Sequence, residues 1–411
     1  MENQLQATTE QGRELVFMAE CFAAKFAAEA AHLDREGIFP VAHLDALRKS
    51  GFLYAPAPVE AGGMGVESVH DLMVASSRLA RGDAGPTLGV NMHLLILQSL
   101  VRQRRMAINR GDEHRTSALT GMLRHLVSQG AFVAAAVSEV DQDLLRPSAA
   151  VEVVDGEPRL NGRKIICSGA PAATHFSTAV TTAGEAGERY AYAMVPRELP
   201  GVTVLDDWDA LGMRSSGSCT VVFENVALPG FRGGKGVEAG RITAEHLEEI
   251  MASAPAHAAA SLGVAEAAHA ASIAAVCKKR QKSPGTPIRS FVQERAAENS
   301  IDLAAARAVF SRSLRMMDKY HDSHPSDHGT LPEVSAVFAE VQRAKAFINA
   351  AAVRISDRAI AMAGGSGYMS GSPLARHYRD ARAGSFMHPL GANTAIEYLG
   401  AHTLGLQPQT F

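Results

Sequence analysis

The sequence predicts an α+β fold in which a small β-domain lies between two helical domains. Residues 1–131 and 236–411 are rich in Ala, Leu and Glu, with apolar residues at helical spacing and few helix breakers. Residues 132–235 instead contain short β-branched or aromatic segments separated by Gly, Pro, Asn or Asp, which is the pattern of strands and turns. We therefore predict an N-terminal helical domain (1–131), a central β-barrel-like domain (132–235) and a C-terminal four-helix bundle (236–411).

The individual elements follow from the same patterns. Helices are predicted at Glu10–Arg48, Asp71–Leu79, Leu88–Ala107, Ala252–Ala275, Val292–Met317 and Glu333–Ala363. Strands are predicted at Ala149–Val154, Thr178–Thr182, Tyr190–Val195 and Cys219–Phe223. Two of the C-terminal helices are largely apolar all round, as are helices inside a bundle or a subunit interface. We therefore expect a homotetramer or a dimer.

Composition and charge exclude several classes of partner. The chain of 411 residues is 46% hydrophobic, which is enough for a large core without disulfides. Its four cysteines form no C-x-x-C pair, so we expect a reducing compartment and neither a zinc site nor a disulfide framework. The polar start is unlike a secretory signal, no apolar run approaches a membrane span, and a net charge of −3 gives no basic field. We expect a cytoplasmic protein with a small-molecule partner and no metal, membrane or nucleic acid.

Three ordered motifs carry a specific resemblance. Leu160–Gly169 reads L-N-G-R-K-I-I-C-S-G, Trp208–Pro229 contains L-G-M-R-S-S and V-V-F-E-N-V-A-L-P, and Gly364–Arg382 contains G-G-S-G-Y and R-D-A. Alone, Asn161-Gly162 is an ordinary hairpin turn and the glycines near residue 364 an ordinary helix end. In this order the three motifs resemble the signatures of acyl-CoA dehydrogenases. The resemblance implies that fold, with a flavin, FAD or FMN, between the β-domain and the C-terminal bundle.

The resemblance also assigns contacts to the flavin. The residues at the matching positions are Val137, Ser138, Ser168, Arg280, Gly364, Gly365 and Gly367. Glycines let backbone N–H groups approach a pyrophosphate, whereas a serine beside a turn often caps local backbone instead. The segment that reaches a neighbouring subunit's flavin in this family departs from the pattern, because Arg280 stands one residue too far away and Pro284 replaces a phenylalanine. These departures predict a loosely held flavin.

The base that a dehydrogenase of this family needs is missing. Such an enzyme removes an α-proton with a carboxylate held against the substrate. In the commonest arrangement the glutamate lies eight residues after Asp380, where this chain has His388. In the second arrangement it lies ten residues before Gly263, where this chain has Ser253, and Glu248 and Glu249 lie about a turn earlier. The dehydrogenase interpretation is weakened by both positions.

The same superfamily contains monooxygenases that receive reduced flavin from a separate reductase and form a C4a-hydroperoxide. The segments Cys167–Ala170, Ser385–Pro389 and Ala401–Leu404 are similar to those of the dibenzothiophene monooxygenase branch. By this resemblance, His388 and Ser168 are catalytic residues that form hydrogen bonds near the flavin and the substrate.

His93 is a third catalytic candidate, on the helix that lines the substrate side in this fold, or else a hydrogen-bonded core histidine. Imidazole exchanges protons near neutral pH, and a donor without negative charge stabilises a peroxide. We therefore predict a reduced-flavin-dependent monooxygenase that acts on a small molecule. The alternatives are an acyl-CoA or acyl-carrier dehydrogenase with an unusual base, and a flavin-binding protein without turnover.

Overall fold

The structure, a computed structural model, describes residues 4–141, 143–185, 187–233, 236–285 and 287–406. Its helices are α1 (Glu10–Phe26), α2 (Ala30–Glu36), α3 (Val41–Lys49), α4 (Val69–Ala80), α5 (Ala84–Arg110), α6 (Glu113–Ser128), α7 (Ala244–Met251), α8 (Ser253–Lys282), α9 (Ser290–Ser323), α10 (Leu331–Ala363), α11 (Gly365–Tyr368), α12 (Pro373–Ala383) and α13 (Ala392–Thr403). Its strands are β1 (Val133–Ala136), β2 (Ala150–Val154), β3 (Glu157–Cys167), β4 (His175–Gly184), β5 (Gly187–Pro196), β6 (Val202–Val204), β7 (Cys219–Ala227) and β8 (Val237–Glu238). The predicted order of helices, sheet and helices is confirmed. The domain boundaries stay predictions, and residue 235 lies outside the described residues.

The N-terminal helices begin and end where the sequence supplies caps. Ser68 accepts a hydrogen bond from the backbone N–H of Asp71 at the start of α4, and Asp83 does the same for α5. α5 ends at Gly111, whose φ of 70° lies in the left-handed region that glycine adopts without strain. Because α5 packs against α6, α8 and β1, most of its length is buried. It forms one wall of the space between the helical parts and the sheet.

The β-domain is one sheet with the strand order β6-β7-β3-β2-β4-β5-β8, and β1 pairs with β4 in parallel. The tight turn between β2 and β3 is Asp155-Gly156, with φ angles of 51° and 80°, as a type I′ turn requires. The interpretation of Asn161-Gly162 as a hairpin turn is wrong, because both residues lie inside β3. Gly162 is needed there for close approach, since a Cβ would come 2.4 Å from the Cβ of Ala149.

The C-terminal part is built on the long helices α8, α9 and α10. Gly263 lets α8 approach α4 closely, because a Cβ there would lie 2.5 Å from the Cβ of Ala80. By length and composition alone, the helical stretch Ala244–Lys282 could cross a membrane, yet 50% of its most apolar window is buried inside the protein. The core helix of a soluble protein meets the same criteria of length and composition.

The L-G-M-R and R-D-A motifs meet where the three parts of the chain join. The Asp380 carboxylate accepts a hydrogen bond of 2.6 Å from the backbone N–H of Met213, and Arg379 pairs with Asp34 of α2. Gly212 is required because a Cβ would lie 2.2 Å from the carbonyl oxygen of Arg379. These contacts hold α12 against the β-domain and so place the last wall of the cavity described next.

Candidate functional site

A cavity of about 710 Å³ lies between α5, the β-domain, the start of α8 and the segment that follows α12. Most of the side chains on its wall are apolar, and a few polar groups converge on it. This composition is typical of small-molecule sites, in which apolar walls bury the ligand and polar groups orient it. The cavity is therefore the candidate active site.

His388 and Ser253 meet on the wall of this cavity. The Nδ1 atom of His388 lies 3.0 Å from Ser253 Oγ, which also donates a hydrogen bond of 3.1 Å to the carbonyl of Ile250. Pro255 stands in the first turn of α8, where its missing N–H costs little, and α7 ends just before it. Ala252 keeps helical dihedral angles between the two helices. α7 and α8 therefore present their residues along one continuous helical path.

A histidine and a lysine stand close to His388. His257 lies one turn beyond Ser253 on α8 and also lines the cavity, and Lys345 of α10 is buried behind the segment that carries His388. Burial lowers the pKa of Lys345 to about 7. Burial and the positive charge of Lys345 lower the pKa of His388 to about 3, and they also hold the pKa of His257 well below its usual range. Both imidazoles are therefore neutral at physiological pH.

The β-domain contributes the opposite wall. Val137, Ser138 and Ser168 line the cavity, as the resemblance implied for flavin contacts. The hydroxyl of Ser168 lies 2.8 Å from that of Ser218. Ile166, beside this pair, has a positive φ of 55° and is 53% exposed. Hydroxyl groups next to an uncovered apolar side chain suit a flat ring system with polar edges, such as isoalloxazine.

Glu249 is a wall residue that sequence reasoning noted only as lying near Ser253. It is half-buried on α7, and with Ser253 and His257 it forms a line at i, i+4 spacing along the α7–α8 path. Burial raises the pKa of its carboxyl group to about 8, assisted by the negative charges of Glu245 and Glu248. Because Glu249 lies four residues before Ser253, on the same face of a helix, the sequence could have predicted that Glu249 lies in the site.

His93 does not join the site. It is fully buried on α5 and packs against Tyr54 and Phe132, and its Nδ1 accepts a hydrogen bond of 3.0 Å from the backbone N–H of Val133. It is absent from the cavity wall, whereas Met92 beside it lines the cavity. The expectation that His93 faces the substrate is not met, and its place is that of a core histidine.

The remaining predicted contacts lie at the far end of α8. Arg280 is exposed and stands 27 residues beyond Ser253 on that helix, about 40 Å along its axis. Lys279 donates a hydrogen bond to the carbonyl of Ala363, which places this end of α8 beside the predicted glycines. Those glycines are Gly364, Gly365 and Gly367. Within one chain this group is separate from the cavity, so a role for it in flavin binding requires a second subunit.

Comparison with known proteins agrees with the architecture along the whole chain. Models of the acyl-CoA dehydrogenase N-terminal, middle and C-terminal domains match residues 9–103, 134–226 and 255–388. The amino sugar nitrososynthase DnmZ of Streptomyces peucetius is 33% identical over 405 residues, which are 97% of this chain and 94% of the relative.

Solved structures extend the comparison to three dimensions. KijD3 in complex with FMN and dTDP-3-amino-2,3,6-trideoxy-4-keto-3-methyl-D-glucose is 31% identical, with a TM-score of 0.85 over 98% of this chain and 95% of that one. The dibenzothiophene monooxygenase TdsC from Paenibacillus sp. A11-2 is 20% identical, with a TM-score of 0.78 over 97% and 98%, and shows the fold alone. The predictions of the fold and of a flavin-dependent enzyme are confirmed. The chain belongs to the acyl-CoA dehydrogenase family.

Proposed function

We propose that the protein is a reduced-flavin-dependent monooxygenase that oxygenates the amino group of a nucleotide-linked amino sugar. The observation that carries this proposal is the contact between His388 and Ser253, because the two positions expected to hold a dehydrogenase's carboxylate carry neutral side chains. Proton abstraction next to a thioester then lacks its usual base. The substrate class is supported by the similarity to the amino sugar nitrososynthase DnmZ and to KijD3, which was solved with an amino sugar nucleotide.

The proposed reaction converts an amine, O₂ and reduced flavin into a hydroxylamine, water and oxidised flavin. One oxygen atom of O₂ is added to nitrogen, the other leaves as water, and the two electrons come from the flavin. A second round would convert the hydroxylamine, O₂ and reduced flavin into a nitroso group, two waters and oxidised flavin. A separate flavin reductase would supply the reduced cofactor for each round.

The residues on the cavity wall fit a flavin. A volume of about 710 Å³ is within the usual range for cofactor sites, and the hydroxyls of Ser138 and Ser168 offer polar contacts beside the exposed face of Ile166. When bound, the reduced flavin would supply two electrons and activate O₂. FMN is favoured over FAD because KijD3 was solved with FMN and because the segment that begins at Arg280 departs from the family's pattern.

The cavity also carries both charges that an amino sugar nucleotide requires. Arg115, Arg232 and Arg382 lie on its wall, and none of them pairs with a carboxylate among the described residues. These guanidinium groups suit a pyrophosphate. Glu249 suits the opposite charge when it is ionised, above its raised pKa of about 8 or beside a bound cation, and its carboxylate can then accept the proton that an ammonium must lose before its nitrogen becomes nucleophilic.

The alternative function is that of an acyl-CoA or acyl-carrier dehydrogenase. Its base would have to be Glu249, since the neighbouring Glu248 is buried in hydrogen bonds to Arg102 and His328, each 2.9 Å long. Glu249 lies one helical turn before the position that the family uses, so a thioester would have to bind in a shifted place.

The two functions give different results in two assays. With reduced FMN, ¹⁸O₂ and the amino sugar nucleotide found in KijD3, we expect mass spectrometry to show labelled oxygen on nitrogen. With acyl-CoA in the absence of air, we expect no loss of the oxidised-flavin absorbance. Folded, flavin-loaded protein that leaves the amine unlabelled, or that is bleached by acyl-CoA, would contradict the proposal.

A further inference from the structure

Lys345 is buried directly behind His388, and its amino group, whose pKa burial lowers to about 7, is a cation below that pH. The residue is 2% exposed, and its Nζ donates hydrogen bonds to the backbone carbonyls of Met387, His388 and Leu390, at 2.9 Å for His388 and 2.8 Å for Leu390. An ammonium group has three hydrogens, and all three are used on this one segment. In the part of the chain that the structure describes, no carboxylate pairs with this charge, and burial is the sole cause of the shift in its pKa.

The hydrogen bonds of Ser253 favour a proton on Nδ1 of His388. A serine hydroxyl has one hydrogen, and the carbonyl of Ile250 can only accept it. The hydroxyl oxygen can then accept a hydrogen bond from Nδ1 of His388, which lies 3.0 Å away. In a neutral imidazole, Nε2 is then a bare acceptor. This atom is buried and has no hydrogen-bond partner among the described residues.

We propose that Lys345 is a positioning residue that holds His388 as a neutral imidazole whose Nε2 accepts a hydrogen bond from the substrate's amino group. The identity of the donor rests on the proposed function, whereas the state of His388 does not. A buried acceptor without a partner is costly, and a ligand N–H would satisfy it. The direction is the reverse of donation to a peroxide, the role that we expected for a catalytic histidine from the sequence.

Lys345 acts through its contacts and through its charge. Its hydrogen bonds to the carbonyls of Met387, His388 and Leu390 hold the backbone on both sides of the imidazole. Its charge, together with burial, opposes a second cation on His388 or on His257, which faces it from α8. The other charged groups on the cavity wall are Glu245, Glu249, Arg115, Arg232, Arg379 and Arg382. The same charge, present below about pH 7, disfavours an ammonium beside His388, so an ammonium ligand must lose a proton to become the uncharged, nucleophilic amine at this point.

Nitrogen NMR of histidine-labelled, flavin-free protein tests the state of His388 without turnover. The signals of His388 are identified by their loss in His388→Ala. For the wild type we expect a protonated Nδ1 and an unprotonated Nε2 with no titration near neutral pH. In Lys345→Met we expect the pKa of His388 to rise by about one unit or more, since a like charge close to an imidazole has been removed. Lys345→Arg keeps the charge and should remain close to the wild type.

Asn349 provides a matched control for mere loosening of this segment. It lies one turn after Lys345 on α10 and donates a hydrogen bond of 2.7 Å to the carbonyl of Gly384, but carries no charge. Asn349→Leu should therefore leave the titration of His388 unchanged. If Lys345→Met does not fold, the wild-type spectrum and that of Lys345→Arg still test the tautomer. A protonated Nε2 in the wild type, or an equal effect of the two variants on the titration, would overturn the proposal.

The role as an acceptor has its own readout. Adding the amino sugar nucleotide found in KijD3 should shift the Nε2 signal, whereas dTDP without a sugar should leave it in place. In the turnover assay, kcat/KM is measured as a function of pH. The pH at which kcat/KM falls on the acid side should be higher in Lys345→Met than in the wild type, by the same amount as the pKa of His388 that NMR measures. Binding of the amine without a change at Nε2 would overturn the acceptor role alone. If NMR shows the expected protonation of His388 but the protein oxygenates no amine, the proposed function is refuted, whereas the inferred state of His388 stands.

Discussion

Ser253 and His388 stand 135 residues apart in the chain, and their side chains meet at 3.0 Å. Two separate counts, one forward from Asp380 and one back from Gly263, therefore end at the same place in the fold. The two positions at which the resemblance places a base are thus neighbours in space in this chain. In this chain that point has an imidazole and a hydroxyl, and no carboxylate at either position.

Replacing His388 by alanine should reduce oxygenation by roughly a hundredfold, because the amine loses the hydrogen bond that positions it and a misplacement of about 1 Å can cost about 10²-fold. Ser253→Ala removes only the partner of Nδ1 and should cost about 1 kcal/mol, or roughly fivefold. Both effects are measured as kcat with saturating reduced FMN. Flavin titration is the control, and a matching loss of flavin affinity would show that His388 acts on the cofactor site rather than on the reaction.

His388→Glu tests the alternative reaction at the same position. It restores a carboxylate where the commonest arrangement of the family places one, and it should suit proton abstraction from an acyl thioester while spoiling oxygenation. The measurement is bleaching of the bound flavin by acyl-CoA without air. If the wild type is already bleached, and His388→Ala equally so, both the reaction and the residue are assigned wrongly.

Glu249→Gln should weaken binding of the amino sugar nucleotide roughly tenfold to a hundredfold, because a charge-assisted hydrogen bond contributes about 1.5–3 kcal/mol. The pKa of Glu249 is raised to about 8 by burial and by Glu245 and Glu248, so the empty site holds mainly the neutral acid at pH 7. An ammonium ligand needs the ionised form. Affinity for the cation should therefore rise with pH up to about 8, and binding should release a proton, as calorimetry in two buffers can detect.

Glu245→Gln is the matched control for this effect. Glu245 lies one turn earlier on α7, lines the same cavity and is exposed. Its removal takes away a negative charge that raises the pKa of Glu249, so the rise of affinity should shift to lower pH without a large loss at pH 8. Equal losses of affinity in both variants would indicate a diffuse charge effect and contradict a direct contact with Glu249.

Several features could be predicted from the sequence because they are determined by residues close together in the chain. Four strands (β2, β4, β5 and β7), the long helices α5, α8, α9 and α10 and the R-D-A segment could be predicted from the sequence, and His388 followed from a count. Lys345 could not be found in this way, since a single lysine in an Ala-rich helix has the pattern of a solvated side chain. Its role depends on the segment from Met387 to Leu390, which only tertiary packing brings to it. The misplaced hairpin turn has a similar cause, because Gly162 is there for cross-strand contact with Ala149.

We predict that the protein is a homotetramer or a dimer in solution. Large apolar side chains are exposed on the C-terminal helices, among them Ile301, 69% exposed, and Phe291, 43% exposed, on α9. Where exposed apolar side chains join into one large patch, the patch usually marks an interface. Ile301→Glu should raise the dissociation constant of the oligomer, as measured by light scattering across a range of concentrations. A monomer mass for the wild type at micromolar concentration would contradict the prediction.

Acid should destabilise the protein partly through His93. Burial lowers the pKa of His93 to about 3, whereas an unfolded histidine titrates near about 6.5. Between these values the unfolded state binds more protons than the folded state, so the free energy of unfolding falls as the pH drops from about 6.5 towards 3. For one such group the loss at about pH 5 is about 2 kcal/mol. The free energy of unfolding in urea is measured at about pH 7.5 and at about pH 5. In His93→Gln the difference between these two free energies should be smaller by about 2 kcal/mol, whatever the substitution costs at neutral pH.

His114→Gln, at an exposed position of α6, is the control and should leave this difference unchanged. An equal effect of the two variants would show that burial of His93 is not the cause.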